Sequence, residues 1–261
     1  MERANNEVNF FMMIEVYLET GIGVTVFNVG LNSHNAQPFH VLGPSHVTVL
    51  SLTIIITILM IRAAWRGESW GLRSLEKLLA LVLLSEWPAN ILISWVLGEL
   101  DVDHIVPAHF CDVASILGGL ALLTRKHELC ELLYFWGLSG TAQGLLTPAL
   151  EVDFPSPRFF VFFALHSGVV IAALYIVFGK RITPRAGAVK RAMGWMLVYA
   201  AIAAVLNVLL GSNYGFLCHK PPTGSLLDML GPWPWYVGSL VLVALVFFTA
   251  LNLPFRRQRG D

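Results

Sequence analysis

The chain has 261 residues, of which 56% are hydrophobic and 13% are charged, and its mean hydropathy is +0.67. A soluble domain carries about 25% charged residues, so this chain has too few to cover a globule of its size. Seventeen basic and seventeen acidic residues cancel, which argues against a nucleic-acid-binding protein. The three cysteines are too few for a disulfide framework. The composition predicts an all-α, polytopic membrane protein.

Residues 1–42 are predicted to form an extracytoplasmic segment. Their apolar stretch, residues 9–27, contains Glu15 and Glu19 and follows no basic region, so it does not resemble a secretory signal. Because each acid is costly at the centre of a bilayer, we expect an interfacial helix near residues 8–20. A short additional span is the alternative.

Seven long apolar runs follow, each close to the ~20 residues that a helix needs to cross a bilayer. They lie at about 45–61, 77–98, 107–124, 128–149, 159–179, 192–211 and 235–254. We therefore expect one bundle of about seven transmembrane helices over residues 43–255, and then a basic tail at 256–261. The sequence shows no long linker and no evident internal repeat, so no second folded domain is predicted.

The positions of the basic residues predict the orientation of the spans. Fourteen of the seventeen follow the first, third, fifth or seventh run, whereas Arg3, Arg158 and Lys220 lie on the other side. Lys and Arg are in excess in cytoplasmic loops. We therefore expect the N-terminus outside, the C-terminus in the cytoplasm and the protein in the cell membrane.

Polar side chains inside the runs are the main functional signal, because they are costly in lipid. With the predicted orientation they gather in the outer half of the bundle, and the inner half contains almost none. We expect a polar cavity that opens outward, lined from the following set: His46, Glu86, Asn90, His109, Cys111, Asp112, Gln143, His166 and Asn207. Simple hydrogen bonding between helices is the alternative for Asn90, Gln143 and Asn207.

Cys111 is the candidate nucleophile. It lies at the start of the third run, where a helix N-terminus favours the thiolate, and a base on another helix would activate it further. His109 is poorly placed as that base, because two residues of helix separate side chains by about 200°. His166, on the fifth run, can face the thiol. The alternatives are a thiol that only packs, a disulfide with Cys218 and a structural His109–Asp112 pair.

Three histidines offer a second possibility. His46, His109 and His166 could converge on a metal ion, but they show none of the familiar metal-ligand spacings. No metal and no other cofactor is therefore predicted.

Substrate-binding residues are expected around the outer cavity. Lys220 and Arg158 are its nearest basic groups and would hold a lipid phosphate, or else only reach toward the interface. Asn213 and Tyr214 are added to this set from the loop at about 212–234, which joins the last two runs.

Several segments resemble those of a known family. They are GPSHVTVL, VPAHFCDVASI, ELLYFWGLSGTAQGLLTP, RFFVFFALHSG and LLGSNYGFLCHKPPTGSLLDMLGPWPWY. In this order, over about residues 40–254, they resemble the bacterial YwaF-type integral membrane proteins, which belong with the eukaryotic transmembrane-protein-164 family. That family is more distantly similar to the androgen-induced integral-membrane lipid hydrolases, which use a Thr and a His within the bundle.

The resemblance implies an activity and its residues. Eukaryotic members are implicated in acyl transfer to lysophospholipids through an essential Cys, which by resemblance is Cys111, with His166 supplied by the ALHSG motif. We expect a lipid acyltransferase or transacylase in which His166 takes the thiol proton and passes it to the leaving alkoxide. Asp112 or Glu86 would orient the imidazole. The candidate donors to the oxyanion are Asn90, Gln143 and Asn207.

Three other functions stay open. The same residues would make a lipid ester hydrolase if water replaced the lysolipid. A proton-coupled transporter of a small solute would use Glu86 and His109, although the sequence has no pair of broken helices. A seven-helix sensor would bind lipid without turnover. Membrane lipids are the expected substrates, and no nucleic acid is an expected partner.

Overall fold

The computed structural model describes residues 37–221 and 226–259. The interfacial helix expected near residues 8–20 therefore lies outside the described residues. Within these two ranges the chain is helical, and its β pairing is limited to one isolated antiparallel bridge between Pro38 and Val152. The all-α prediction is confirmed.

The helices follow the predicted runs closely. We number them α1 Pro44–Arg66, α2 Trp70–Leu97, α3 Val102–Ile105, α4 Phe110–Thr124, α5 His127–Trp136, α6 Ala142–Leu146, α7 Pro157–Leu174, α8 Ala188–Leu210 and α9 Trp235–Arg259. One π-helical turn, Gly137–Thr141, joins α5 to α6, and another, Tyr175–Gly179, extends α7. Two short 3-10 turns, Tyr214–Phe216 and Leu226–Leu230, lie between α8 and α9.

Six helical stretches of the described chain are long and apolar enough to cross a membrane. They are Pro44–Arg66, Trp70–Leu97, Val102–Thr124, Pro157–Gly179, Ala188–Leu210 and Trp235–Arg256. The run predicted at 128–149 is built differently, because the π turn divides it into α-helices of 10 and 5 residues. The chain is thus a polytopic helical membrane protein, as predicted, and its orientation stays a prediction.

Small residues bring α4 close to α2. A Cβ atom on Gly119 would lie 2.5 Å from Leu84 Cγ, and one on Gly118 would lie 2.9 Å from Leu83 Cδ1. At this close approach Ser115 Oγ donates a hydrogen bond to the carbonyl oxygen of Leu83, at 2.7 Å. The glycines and this bond together fix the register between the two helices.

Two buried carboxylates lie in the half of the bundle that was expected to have almost no polar side chains. Each is bound by basic side chains from more distant parts of the chain: Glu76 by Lys180 at 2.7 Å and Arg125 at 2.9 Å, and Glu131 by Arg185 and Arg191, both at 3.0 Å. Glu76 precedes the second predicted run and Glu131 lies one turn into the fourth. The expectation was wrong because hydropathy does not show that both acids are buried and paired with distant basic residues. We call this half of the molecule, defined by Glu76 and Glu131, the ion-pair end.

Candidate functional site

Cys111 is the second residue of α4, so it lies at a helix N-terminus, as the sequence predicted. Its thiol is half-buried, and Sγ donates to Asp112 Oδ1 at 3.8 Å. The other oxygen, Asp112 Oδ2, accepts from the backbone N–H of His109, the residue that caps the helix, at 3.2 Å. Asp112 therefore stabilises the start of α4 and contacts the candidate nucleophile with the same carboxylate.

The imidazole of His109 forms no hydrogen bond with this carboxylate. It packs against the ring of Tyr214, with centroids 5.3 Å apart, and against Phe216 at 5.8 Å. The expected His109–Asp112 pair thus exists through the backbone N–H of His109. Its ring instead packs against the loop that follows α8.

His166 lies on α7 and is oriented by its own helix. Its Nδ1 donates to the carbonyl oxygen of Phe162 at 2.7 Å, and the two rings stack with centroids 4.0 Å apart. Because a carbonyl can only accept, the proton is on Nδ1 and Nε2 carries the lone pair. No described residue forms a hydrogen bond to Nε2, so the imidazole has the form that a general base requires. The carbonyl of Phe162 therefore fills the orienting role expected of Asp112 or Glu86.

Two glycines of one segment pack against Phe110 and His166, one residue from each of the Cys and His motifs. A Cβ atom on Gly140 would lie 2.4 Å from Phe110 Cε1, and one on Gly144 would lie 2.5 Å from His166 Nε2. We call Gly140 and Gly144 the glycine shelf. The two glycines are four residues apart, so Phe110, the neighbour of Cys111 in sequence, and His166 rest on neighbouring parts of one segment. Among the described residues no hydrogen bond joins the thiol of Cys111 to the imidazole of His166.

Glu86 approaches the same thiol from α2. Its side chain is 7% exposed, and its Oε2 atom is buried with no hydrogen-bond partner among the described residues. The hydrogen bond from Ser115 to Leu83 sets the register between α2 and α4, which run in opposite directions. Glu86 lies about one turn after Leu83 on α2. It is therefore level with Cys111 and Asp112, which lie about one turn before Ser115 on α4. Glu86 interacts electrostatically with both.

Asn90 and Gln143 stay available as polar groups. Asn90 is one turn beyond Glu86 on α2, and Gln143 precedes Gly144 in α6. Both residues are half-buried, and no described residue forms a hydrogen bond with either side-chain amide.

Asn207 builds the loop that follows α8. Its Nδ2 donates to the Tyr214 carbonyl at 3.1 Å, while its Oδ1 accepts from Tyr214 N at 2.7 Å and from Ser212 Oγ at 2.9 Å. Asn213 closes the next turn, since its Oδ1 accepts from the backbone N–H groups of Cys218 and His219. The hydrogen-bonding groups of these two amides are therefore committed to the loop.

His46 is likewise fully engaged. It is 0% exposed, its Nδ1 accepts from the backbone N–H of Leu42 at 3.0 Å, and its Nε2 donates to the carbonyl of Leu145 at 2.9 Å. With both nitrogens bonded, His46 ties the start of α1 to the end of α6.

The two basic groups expected to bind phosphate already contact anions of the protein. Arg158 pairs with Glu99. Lys220 lies 3.9 Å from the carboxylate of Asp228 and 5.5 Å from the ring centroid of Tyr236. Both side chains are 24% exposed, and neither forms a hydrogen bond with Cys111.

Comparison with known proteins identifies the family. The model of the TMEM164 family matches residues 41–252. The chain belongs to the TMEM164 family. An uncharacterized protein of Treponema pallidum (strain Nichols) is 31% identical to it over 155 residues, which are 58% of this chain and 62% of that protein. The chain thus matches less than two thirds of that relative's length. No solved structure matches significantly.

The three histidines considered as metal ligands in this TMEM164 family protein occupy separate surroundings. His46 lies against Leu145, His109 against Tyr214 and His166 against Gly144. In the described part of the chain no three His, Cys, Asp or Glu residues are grouped to hold a metal ion. All three cysteines are free, so the disulfide considered between Cys111 and Cys218 is not formed.

One cavity lies at the ion-pair end. It has a volume of about 160 Å³, and its walls include Glu131, Arg191 and Trp195. It is not the outward polar cavity that the sequence predicted beside Cys111.

Two residues around the candidate site, Tyr199 and Thr141, were missed in the sequence. Tyr199 donates from its hydroxyl to the Ala108 carbonyl at 3.0 Å and packs edge-on against Phe110, at 5.4 Å between centroids. Thr141, in the π turn of the shelf segment, has a buried hydroxyl with no partner among the described residues. Tyr199 lies in an apolar run, where a tyrosine is usually a packed core residue. Thr141 lies in a π turn, which hydropathy does not distinguish from an α-helix.

Proposed function

We propose that this TMEM164 family protein is a lipid acyltransferase or transacylase of the cell membrane that carries the acyl group as a thioester on Cys111. One observation carries the proposal. Cys111, half-buried in the first turn of α4, follows Phe110, which packs on Gly140, and His166, whose Nε2 has no hydrogen-bond partner among the described residues, packs on Gly144 of the same segment. A nucleophile and a base with the correct protonation state are the minimum that acyl transfer requires.

The thiol sulfur of Cys111 attacks the ester carbonyl of a phospholipid, and the S–H proton passes to His166 Nε2. The tetrahedral intermediate then expels the glycerol oxygen, which takes this proton, and the acyl group remains on sulfur. A lysolipid hydroxyl reverses these steps: its proton moves to Nε2 and then to the departing sulfur. In the resting structure Sγ donates to Asp112, so this mechanism requires the thiol to turn toward His166 when the acyl chain enters.

Lipid is the substrate class that suits the position of the site. Cys111 packs against the apolar core between the spanning helices. An acyl chain can reach this position directly from the bilayer. Asn90 and Gln143 are the polar groups free to bind the glycerol or head group. Arg158 and Lys220 can contribute only if a phosphate replaces the carboxylates of Glu99 and Asp228.

A proton-coupled transporter is the second candidate function, because Glu86 has a buried oxygen without a partner. It predicts solute flux into proteoliposomes that depends on Glu86 and survives Cys111→Ala. A lipid ester hydrolase is a variant of the first proposal in which water resolves the thioester.

The experiment uses purified protein in nanodiscs that contain a phosphatidylcholine with an isotopically labelled acyl chain and an unlabelled lysolipid. We expect labelled diacyl product with the wild type and with Cys130→Ala, whose thiol is buried at the ion-pair end. Cys111→Ala and His166→Ala are expected to form none. Labelled free fatty acid in place of diacyl product would identify a hydrolase, and full activity of Cys111→Ala would overturn the thioester mechanism.

A further inference from the structure

Glu86 is a buried acid without a counter-charge. The ion pairs of the described residues use their basic groups elsewhere, and none of them involves Glu86. A carboxylate buried in apolar surroundings without a partner is strongly disfavoured, so the group keeps its proton. A neutral carboxylic acid is a hydrogen-bond donor as well as an acceptor.

Asp112 lies beside the same thiol in a different environment. Its two oxygens accept hydrogen bonds from the His109 backbone N–H and from the Cys111 thiol. Donors of this kind stabilise a carboxylate, whereas Glu86 Oε2 receives none. When two neighbouring acids differ in this way, the hydrogen-bonded one carries the charge and the other keeps the proton. The thiol therefore has an anion on one side and a proton-bearing acid on the other.

The oxyanion of the acyl-transfer step needs a donor, and the structure narrows the choice. Asn207 was a candidate, but its amide is fully used by Tyr214 and Ser212. Asn90 lies one turn farther along α2 than Glu86, on the side away from the Ser115–Leu83 bond. Gln143, the other free amide, lies on α6 beside Gly144, which contacts His166. On α2, Glu86 is the group whose register places it beside Cys111.

We propose that Glu86, as a neutral acid, donates a hydrogen bond to the carbonyl oxygen of the acyl group that Cys111 attacks, and so stabilises the oxyanion. This inference rests on the proposed thioester at Cys111. As the S–C bond forms, the π electrons of the carbonyl move to its oxygen, which accepts from the Glu86 O–H. When the C–O bond to glycerol breaks, these electrons return and the thioester carbonyl keeps the same hydrogen bond. Glu86 neither gains nor loses a proton.

The test measures the rate of acyl-enzyme formation for Glu86→Gln and Glu86→Leu. The amide of Gln is still a donor, so we expect a rate within about 10-fold of wild type. Leu has no donor, and loss of one oxyanion donor costs about 10²–10³-fold in kcat, with the KM for the donor lipid unchanged. Ser94→Ala is the matched control, since Ser94 Oγ is another buried group without a partner on α2, and it should keep wild-type activity.

A second measurement reports the hydrogen bond directly. With a ¹³C-labelled acyl carbonyl, infrared difference spectra of the Cys111 thioester should show a lower carbonyl stretch in wild type and Glu86→Gln than in Glu86→Leu. The Leu variant is expected to fold, because an apolar side chain replaces an unpaired buried acid.

Three results would overturn the proposal. Wild-type rates in Glu86→Leu, or a Gln variant as slow as Leu, would exclude a hydrogen-bond donor, and the latter would indicate proton transfer by Glu86. Identical carbonyl frequencies in all three proteins would do the same. These outcomes leave the thioester mechanism intact. Absence of any adduct on wild-type Cys111 is a separate result that contradicts the proposed function itself.

Discussion

Adding a single methyl group to the glycine shelf tests how the site positions His166. In Gly144→Ala the new Cβ atom would lie 2.5 Å from Nε2 and 2.6 Å from Cδ2 of the imidazole, whereas ordinary contacts begin at 3.4 Å. The ring must therefore move by about 1 Å, and the stack on Phe162 and the 2.7 Å bond to its carbonyl resist this shift. A misplacement of about 1 Å costs about 10²-fold in rate.

The assay compares acyl transfer by Gly144→Ala with that by Gly137→Ala. Gly137 lies on the same segment and is also tightly packed, since its Cβ would lie 2.9 Å from Val169 Cγ1. Both variants should lose about 1–3 kcal/mol of stability from overpacking, but only Gly144→Ala should lose about 10²-fold in kcat. Gly194→Ala, where no atom lies within 4 Å of the added Cβ, reports the effect of the substitution alone. Equal activities of Gly144→Ala and Gly137→Ala would refute the role of the shelf.

Two further predictions concern stability. Asn207→Ala leaves the backbone N–H and carbonyl of Tyr214 without partners, so we expect a loss of about 2 kcal/mol or more and faster proteolysis of the following loop. The control is Val208→Ala, a neighbour whose side chain is 84% exposed, and it should change neither the stability nor the rate of proteolysis. An unaltered melting temperature of Asn207→Ala would contradict the structure. Glu131→Gln removes a buried carboxylate that is paired with Arg185 and Arg191. Because both arginines are partly exposed to solvent, we expect the free energy of unfolding, measured by thermal unfolding, to fall by only about 1–3 kcal/mol. Glu128→Gln, an exposed acid one turn away, is its control, and an equally stable Glu131→Gln would refute the ion-pair assignment.

The sequence predicted the spans well, because hydropathy responds to the cost of exposing backbone and polar groups to lipid. It did not predict the interruption of the fourth run. The π turn Gly137–Thr141 keeps the same apolar composition and changes only the hydrogen-bond pattern. Nor did it predict the buried acids Glu76 and Glu131, whose arginine partners lie 49 or more residues away in the sequence.

The sequence identified residues of the candidate site better than it identified their roles. Cys111 in the first turn of a helix follows from the local sequence, and the structure agrees. His46 and Asn207 were selected because they are polar and lie in spans. The side chains of both form hydrogen bonds with backbone groups, which occupy them. Which polar side chain is engaged depends on the path of loops that hydropathy does not describe. The contact between His166 and Gly144 similarly depends on the register of two helices.

The most direct test of the account is the intact mass of the purified protein after incubation with phospholipid, for wild type, Cys111→Ala and Cys130→Ala. The account predicts an adduct with the mass of one acyl chain on wild type and Cys130→Ala, removed by hydroxylamine and by added lysolipid, and no adduct on Cys111→Ala. Lipid products that form without an adduct on any of the three proteins, or an adduct that persists on Cys111→Ala, would contradict Cys111 as the acyl carrier.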